Sequence, residues 1–268
     1  MWLSLLLACT SAPSILQGLG SGAPDPRWPE AGAPLHHPVL EVPEGFGRYG
    51  VFVVAGHGTG SNVGNLGCRC IQEEHFTLEA ASDLAARLEI TGLFEIIEAR
   101  SDTARPSYPA RLRHLARSGA DVLIELHSDA RGARVAEASG SVGDEICRCT
   151  DVDPGLSVLV SDEGGEALDA ARLALARHVA DALGRAGFPL YDGGRYGAQY
   201  ERDTTEGVFL DRRGLMMLRR PKVPSIIIET HNALDPQEAD RWEEPRTRDA
   251  FARAVLGALI AYFSEERS

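Results

Sequence analysis

Apolar positions along the chain fall into two kinds of run. Short blocks rich in β-branched and aromatic residues have the continuous hydrophobicity of strands buried on both faces of a parallel sheet. They are Val51-Phe52-Val53-Val54, Phe94 to Ala99, Val122 to Leu126, Leu156 to Ser161 and Ile226-Ile227-Ile228. Leu215 to Arg219 predicts a further short strand. Longer segments with helical spacing lie between them. Glu73 to Thr91 sets Leu78, Ala81, Leu84, Ala85 and Leu88 on one face and stops at Gly92, and Pro106 to Ser118 ends at Gly119. Ala167 to Arg185 turns Leu168, Leu175, Val179 and Leu183 inward, and Thr247 to Phe263 does the same with Phe251, Val255, Leu259 and Tyr262 or Phe263. Tyr191 to Arg213 is polar, bears glycines and has no clear period, which predicts a loop. The alternation predicts an α/β fold, a three-layer sandwich around a mostly parallel, roughly six-stranded twisted sheet.

Composition adds boundaries to this pattern. A chain of 268 residues, 44% of them hydrophobic, can bury one sizeable core. The folded domain is expected over residues 48–268. Before it, residues 10–47 are poor in periodicity and hold seven of the fifteen prolines, as expected of a tether; His36-His37 reads as a solvated pair within it. Residues 1–9 form a short apolar run closed by a cysteine, and Leu6-Leu7-Ala8-Cys9 resembles a bacterial lipoprotein box that would carry lipid on Cys9. The charged leader of a signal peptide is missing there, so either the true start lies upstream or the run is a chance apolar terminus. The expectation is an exported protein, periplasmic and anchored to the membrane through that lipid. A net charge of −12 argues against a nucleic-acid partner.

The chemistry gathers where the apolar blocks end. Val51 to Val54 runs into Ala55-Gly56-His57-Gly58, Val122 to Leu126 into His127, and the three isoleucines into Glu229. In an open α/β sheet, ligands collect beyond the carboxyl ends of the strands. A histidine or carboxylate is an expensive occupant there unless it is paired or put to use. Glu73, in the first turn of the helix after the first strand, can point back to the same rim. Each residue has an ordinary reading as a hydrogen-bonded or solvated group, and Glu73 as a helix-dipole partner. Together they supply what a catalytic zinc site needs: three His, Asp or Glu ligands, an open position for water and a nearby base.

The runs Ala55-Gly56-His57-Gly58, Gly64-Asn65-Leu66-Gly67 and Glu73-Glu74-His75-Phe76-Thr77-Leu78 resemble the opening of zinc-dependent N-acetylmuramoyl-L-alanine amidases, the amidase-3 family of cell-wall hydrolases. Arg100, Asp102 and Arg111 continue the likeness, as do Ala120 to Ala130 around His127 and Pro224 to Thr230 around Glu229. The resemblance spans about Val51 to Phe263. It implies that His57, Glu73 and His127 bind Zn(2+), and that Glu229 is the catalytic glutamate. The family's leucine falls five residues after its glutamate ligand, which favours Glu73, with Glu74 as the fallback ligand. The implied reaction cleaves the amide between N-acetylmuramic acid and the L-alanine of peptidoglycan stem peptides. Arg100, Arg111 and Asp129 are implied to support the site or contact substrate, and a partner that activates the enzyme is left open.

Departures from the family pattern are informative. Glu125 stands where the family has a small residue; alternation puts it on the face of His127, where it could orient that imidazole or pair with Arg111 or Arg131. His231 is expected on the face of Glu229, contacting substrate or metal or simply hydrogen-bonded in the loop. The long segment Gly132 to Pro154 is expected to reshape the groove. Cys68, Cys70, Cys147 and Cys149 lie in the loops after the first and third strands. If those strands are neighbours, two cross-linking disulfides suit an exported protein, while a structural zinc cluster and free thiols are the alternatives. The rival functions are a dinucleotide-binding turn at Gly56, Gly58 and Gly60, a zinc carboxypeptidase-like amidohydrolase, and an inactive wall-binding lipoprotein of the same fold.

Overall fold

The computed structural model describes residues 35–265. The apolar N-terminal run with Cys9, and the tether up to residue 34, lie outside them. In chain order the elements are β1 Tyr49–Ala55, α1 Glu73–Glu89, β2 Phe94–Glu98, α2 Tyr108–Ser118, β3 Val122–Asp129, β4 Glu137–Val142, β5 Glu145–Cys149 and β6 Ser157–Val160. They continue with α3 Glu166–Arg185, β7 Tyr200–Arg202, β8 Val208–Asp211, α4 Met216–Arg219, β9 Ser225–Asn232, α5 Pro236–Trp242 and α6 Pro245–Glu265. Among these residues no helix is long and apolar enough to cross a membrane.

Seven strands make one sheet in the order β2-β1-β3-β9-β6-β8-β7. β1 pairs in parallel with β2 and β3, and β3 with β9, while β6 runs antiparallel to β9. The sheet exceeds the roughly six strands expected because the segment Tyr191 to Arg213 is not wholly a loop. It carries β7 and β8, which at three and four residues are too short to show a period of two. Leu215 to Arg219, expected as a strand, forms one turn of helix, α4. Four apolar residues in a row suit either structure, and length alone could not decide between them.

Strand alternation sorts the chain into three layers. Val51, Val53, Ile124, Leu126, Ile226 and Ile228 face α1, α3 and α6 and share one core with Leu84, Leu88, Val179 and Leu259. Phe52, Val54 and Leu123 face the opposite way, towards Leu115 of α2 and Met217 of α4. Ile227 and Leu159 continue that second face into a cluster with Tyr191, Tyr196 and Phe209. Glu125 and His127 follow Leu123, and Glu229 follows Ile227, at intervals of two, so all three project into this second layer at its end nearest the loops.

Residues 35–47 have no regular secondary structure, but they are held to the domain. Leu35 is buried, the His36 N–H donates to the Ala186 carbonyl at 2.7 Å, and Leu40, Val42 and Phe46 pack on the first core. His37, read as solvated, pairs with Asp249 at 3.2 Å. Gly132 to Pro154 contains the antiparallel hairpin β4–β5. β1 and β3 are neighbours, and both cysteine pairs are closed: Cys68–Cys149 and Cys70–Cys147, with Cα separations of 4.7 and 5.3 Å. The hairpin is thereby stapled to the loop that follows β1.

Candidate active site

The end of β1 is built to bring two imidazoles together. Gly56 is obligatory in this arrangement, since a Cβ there would lie 2.5 Å from Cε1 of the His127 ring. His57 then takes a left-handed backbone with φ of 57°, uncommon for a residue with a side chain. That turn is braced from below. Arg111 donates to the Ala55 carbonyl at 2.7 Å and to the His57 carbonyl, and Arg100 donates to the carbonyls of Ala55, Gly56 and Glu74 at 3.2, 3.2 and 2.5 Å. Both guanidinium groups are spent on backbone. Arg100 and Arg111, expected to support the site or meet substrate, hold up the His57 turn.

Glu73 is the hub. Its Oε2 lies 3.0 Å from His57 Nε2 and its Oε1 lies 2.9 Å from His127 Nδ1. The backbone N–H and side-chain amide of Asn65 donate to Oε2, each at 3.0 Å, and the Ser128 N–H donates to Oε1 at 3.0 Å. Gly64 makes room for this, because a Cβ there would meet Glu73 Oε2 at 2.4 Å. Burial works to raise the Glu73 carboxyl, but hydrogen bonds from His127 and His57 outweigh it and hold the group well below the usual carboxylate range. Burial likewise works against charge on His127, and its contacts with Glu125 and Glu73 outweigh it and raise the imidazole well above its ordinary value. His57 Nδ1 is occupied by Asn62 Oδ1 at 2.7 Å, which leaves Nε2 turned to the cluster. Ligand atoms of His57, Glu73 and His127 all lie within 4.8 Å of one another, as a shared metal ion requires. Glu74, the fallback, points elsewhere and pairs with Arg105.

The three residues line a cleft of about 410 Å³ together with Glu229, Glu125, Asp129, Tyr108, Arg213 and Met216. Glu229 lies mid-strand, opposite His127 in the β3–β9 register. Its Oε2 is buried without a hydrogen-bond partner, and burial, reinforced by Asp129, pushes the carboxyl up to about 8. Asp129 accepts from the Ala130 N–H at 2.8 Å. Glu125 is 1% exposed, its Oε1 is 3.4 Å from His127 Nε2, and neither carboxylate oxygen has an ordinary hydrogen-bond partner. It forms no ion pair with Arg131, which donates to the Gly155 carbonyl and lies over the Tyr191 ring, nor with Arg111.

His231 departs from expectation for a reason the alternation rule could not reveal. His127 pairs with Glu229 but Asp129 pairs with Asn232, so β9 carries one extra residue between them. This bulge breaks the alternation and turns His231 away from the cleft. It stacks on Trp242 and meets the edge of Phe76, with Nδ1 2.9 Å from Thr230 Oγ1. Burial lowers its pKa to about 3, so it stays neutral. Sequence reasoning gave no role to Asn62, Tyr108 and Arg213, and named Asn65 only as part of a motif. The two asparagines carried the only available signal, being the amide side chains of the glycine-rich loop.

Known proteins share the family and the fold of this chain. Residues 51–261 match the family described as N-acetylmuramoyl-L-alanine amidase, Amidase_3. The chain is 25% identical over 236 residues to N-acetylmuramoyl-L-alanine amidase AmiA of Salmonella typhimurium, covering 80% of this chain and 75% of that one. It is 24% identical over 240 residues to AmiA of Escherichia coli, covering 81% and 77%. Among solved structures, the N-acetylmuramoyl-L-alanine amidase of Clostridium difficile 630 superposes with a TM-score of 0.62 at 20% identity, covering 82% of this chain and 98% of that one. Ami1 of Mycobacterium smegmatis gives 0.62 at 17%, covering 82% and 99%. With the family matched across nearly all of the folded part, the chain belongs to the N-acetylmuramoyl-L-alanine amidases of the Amidase_3 family.

Proposed function

We propose that the protein is a zinc-dependent N-acetylmuramoyl-L-alanine amidase that cuts stem peptides from peptidoglycan during cell-wall remodelling. The observation that carries this is the convergence of His57 Nε2, Glu73 and His127 Nδ1 in one cleft with Glu229. Two imidazoles and one carboxylate suit zinc better than the oxygen-seeking magnesium or calcium. Bound there, zinc would polarise the scissile carbonyl and acidify an attacking water. Glu229, kept ionised by the nearby cation, would accept a proton from the attacking water and pass it to the departing alanine nitrogen. Its lack of a hydrogen-bond partner leaves it free to do both. Asn65 and the Ser128 N–H hold Glu73 in place, and Asn62 fixes the tautomer of His57.

Two disulfides accord with an exported, periplasmic protein. Lipid on Cys9 would anchor it, and that residue lies outside the described ones. An activating partner is part of the same reading. One neighbour in fold, the CwlD amidase of Clostridioides difficile, was solved with the GerS lipoprotein.

The test is to purify the full chain, measure bound zinc and incubate it with peptidoglycan. The expected products are free stem peptides beginning in L-alanine. Glu229→Gln should retain zinc and lose about 10²–10⁴-fold in kcat. Zinc-free protein that binds walls without cutting them would instead favour the inactive wall-binding reading.

A further inference from the structure

The cleft is lined by four carboxylates, those of Glu73, Glu125, Asp129 and Glu229, and its lining contains one arginine, Arg213. The arginines around it are committed elsewhere. Arg100 and Arg111 serve the His57 turn, Arg105 pairs with Glu74, and Arg131 donates to Gly155. Arg213 is different. It stands two residues beyond β8, in a turn fixed by Asp211, whose buried carboxylate accepts from the Arg213 N–H at 3.1 Å and the Leu215 N–H at 2.6 Å. The guanidinium lies 4.5 Å from the centre of the Tyr200 ring, and its Nε is 3.7 Å from Asp211 Oδ1, beyond hydrogen-bond reach. The side chain is 38% exposed. A flat cation is thus seated on an aromatic ring at the edge of the cleft, with its donors unspent.

Such a group is suited to a planar anion, above all a carboxylate taken on two prongs. In an acidic cleft it is also the group that can offset repulsion of an anionic substrate. We propose that Arg213 is a specificity residue that binds a carboxylate of the stem peptide near the scissile amide, selecting peptides in which that carboxyl is free over peptides in which it is amidated. This rests on the amidase reading of the same cleft.

The test uses the zinc-loaded full chain and two defined muropeptides that differ only in that carboxyl, free or amidated. Wild type is expected to prefer the free acid in kcat/KM by roughly 10–100-fold, the range of hydrogen bonds to charged groups. In Arg213→Gln that preference should collapse towards one, with the loss concentrated in KM. Arg213→Lys, which keeps the charge but not the fork, should retain part of it and provides the comparison if the glutamine variant folds poorly. A merely structural arginine would lower both substrates equally and leave the ratio intact, which overturns the assignment, as does a wild type without preference. A wild type that cuts neither muropeptide overturns the amidase reading and takes this proposal with it.

Discussion

At position 125 a carboxylate lines the cleft, 1% exposed and with both oxygens short of hydrogen bonds. Burying such a group without partners costs several kcal/mol, so its neighbour at 3.4 Å, His127 Nε2, is the place to look for its role. His127 turns Nδ1 to Glu73 and Nε2 to Glu125, the arrangement in which a carboxylate steadies a metal-binding imidazole and strengthens its donor atom. Glu125→Gln should therefore weaken zinc binding by about 10–100-fold in a chelator competition, with the fold of the metal-free protein unchanged. Unchanged affinity would return Glu125 to a passive role. His57, His127 and Glu229 stand out in the sequence because each is a costly polar group set against an apolar run, whereas Glu73 stands out only by its place in the first turn of a helix and its motif. Arg213 does not stand out, because a solvent-reaching arginine in a polar stretch carries no such contrast.

Elements were legible in proportion to their length. α1, α3 and α6 run to 17, 20 and 21 residues and appear in the sequence within a few residues of their ends. β7, β8 and α4 have three or four residues each and could not show a period. The bulge in β9 is a matter of pairing between strands, which no single-strand pattern records. The Cys-X-Cys spacing did signal a staple, though not its connectivity. The bonds Cys68–Cys149 and Cys70–Cys147 are nested, with sequence separations of 81 and 77, so the inner one closes a loop already almost closed by the outer. Removing both pairs by serine substitution should cost about 2–4 kcal/mol, and removing either pair alone much less than half of that. Urea unfolding of the two double variants and the quadruple variant measures this; equal and additive losses would refute the nested account.

For the whole molecule, the pH dependence of stability should carry the mark of Glu238. This residue of α5 is buried and ties two segments together, accepting from the Gly155 N–H at 2.9 Å and the Asn232 N–H at 2.8 Å. Burial, only partly offset by Arg131 and these bonds, pushes its carboxyl up to about 7. A carboxyl raised above its unfolded value of roughly 4.3 binds its proton more tightly in the folded state. Its contribution to stability is therefore full below about pH 4 and is lost as pH rises to 7. Glu238→Gln should flatten that decline, seen as a smaller difference in urea midpoint between pH 5 and pH 8 than in wild type. An unchanged difference would assign the slope to other groups.

Scale also matters at the other end of the chain. The strap formed by residues 35–47 is held against the first core through Leu35, Leu40 and Phe46. From Cys9 to Leu35 are 26 residues, which can extend at most ~90 Å; from Cys9 to Arg48 would be 39, and ~130 Å. If lipid is attached at Cys9, the strap shortens the leash by about a third. An amidase so anchored would reach only a shell of wall within that radius, and material beyond it would be out of range whatever its chemistry.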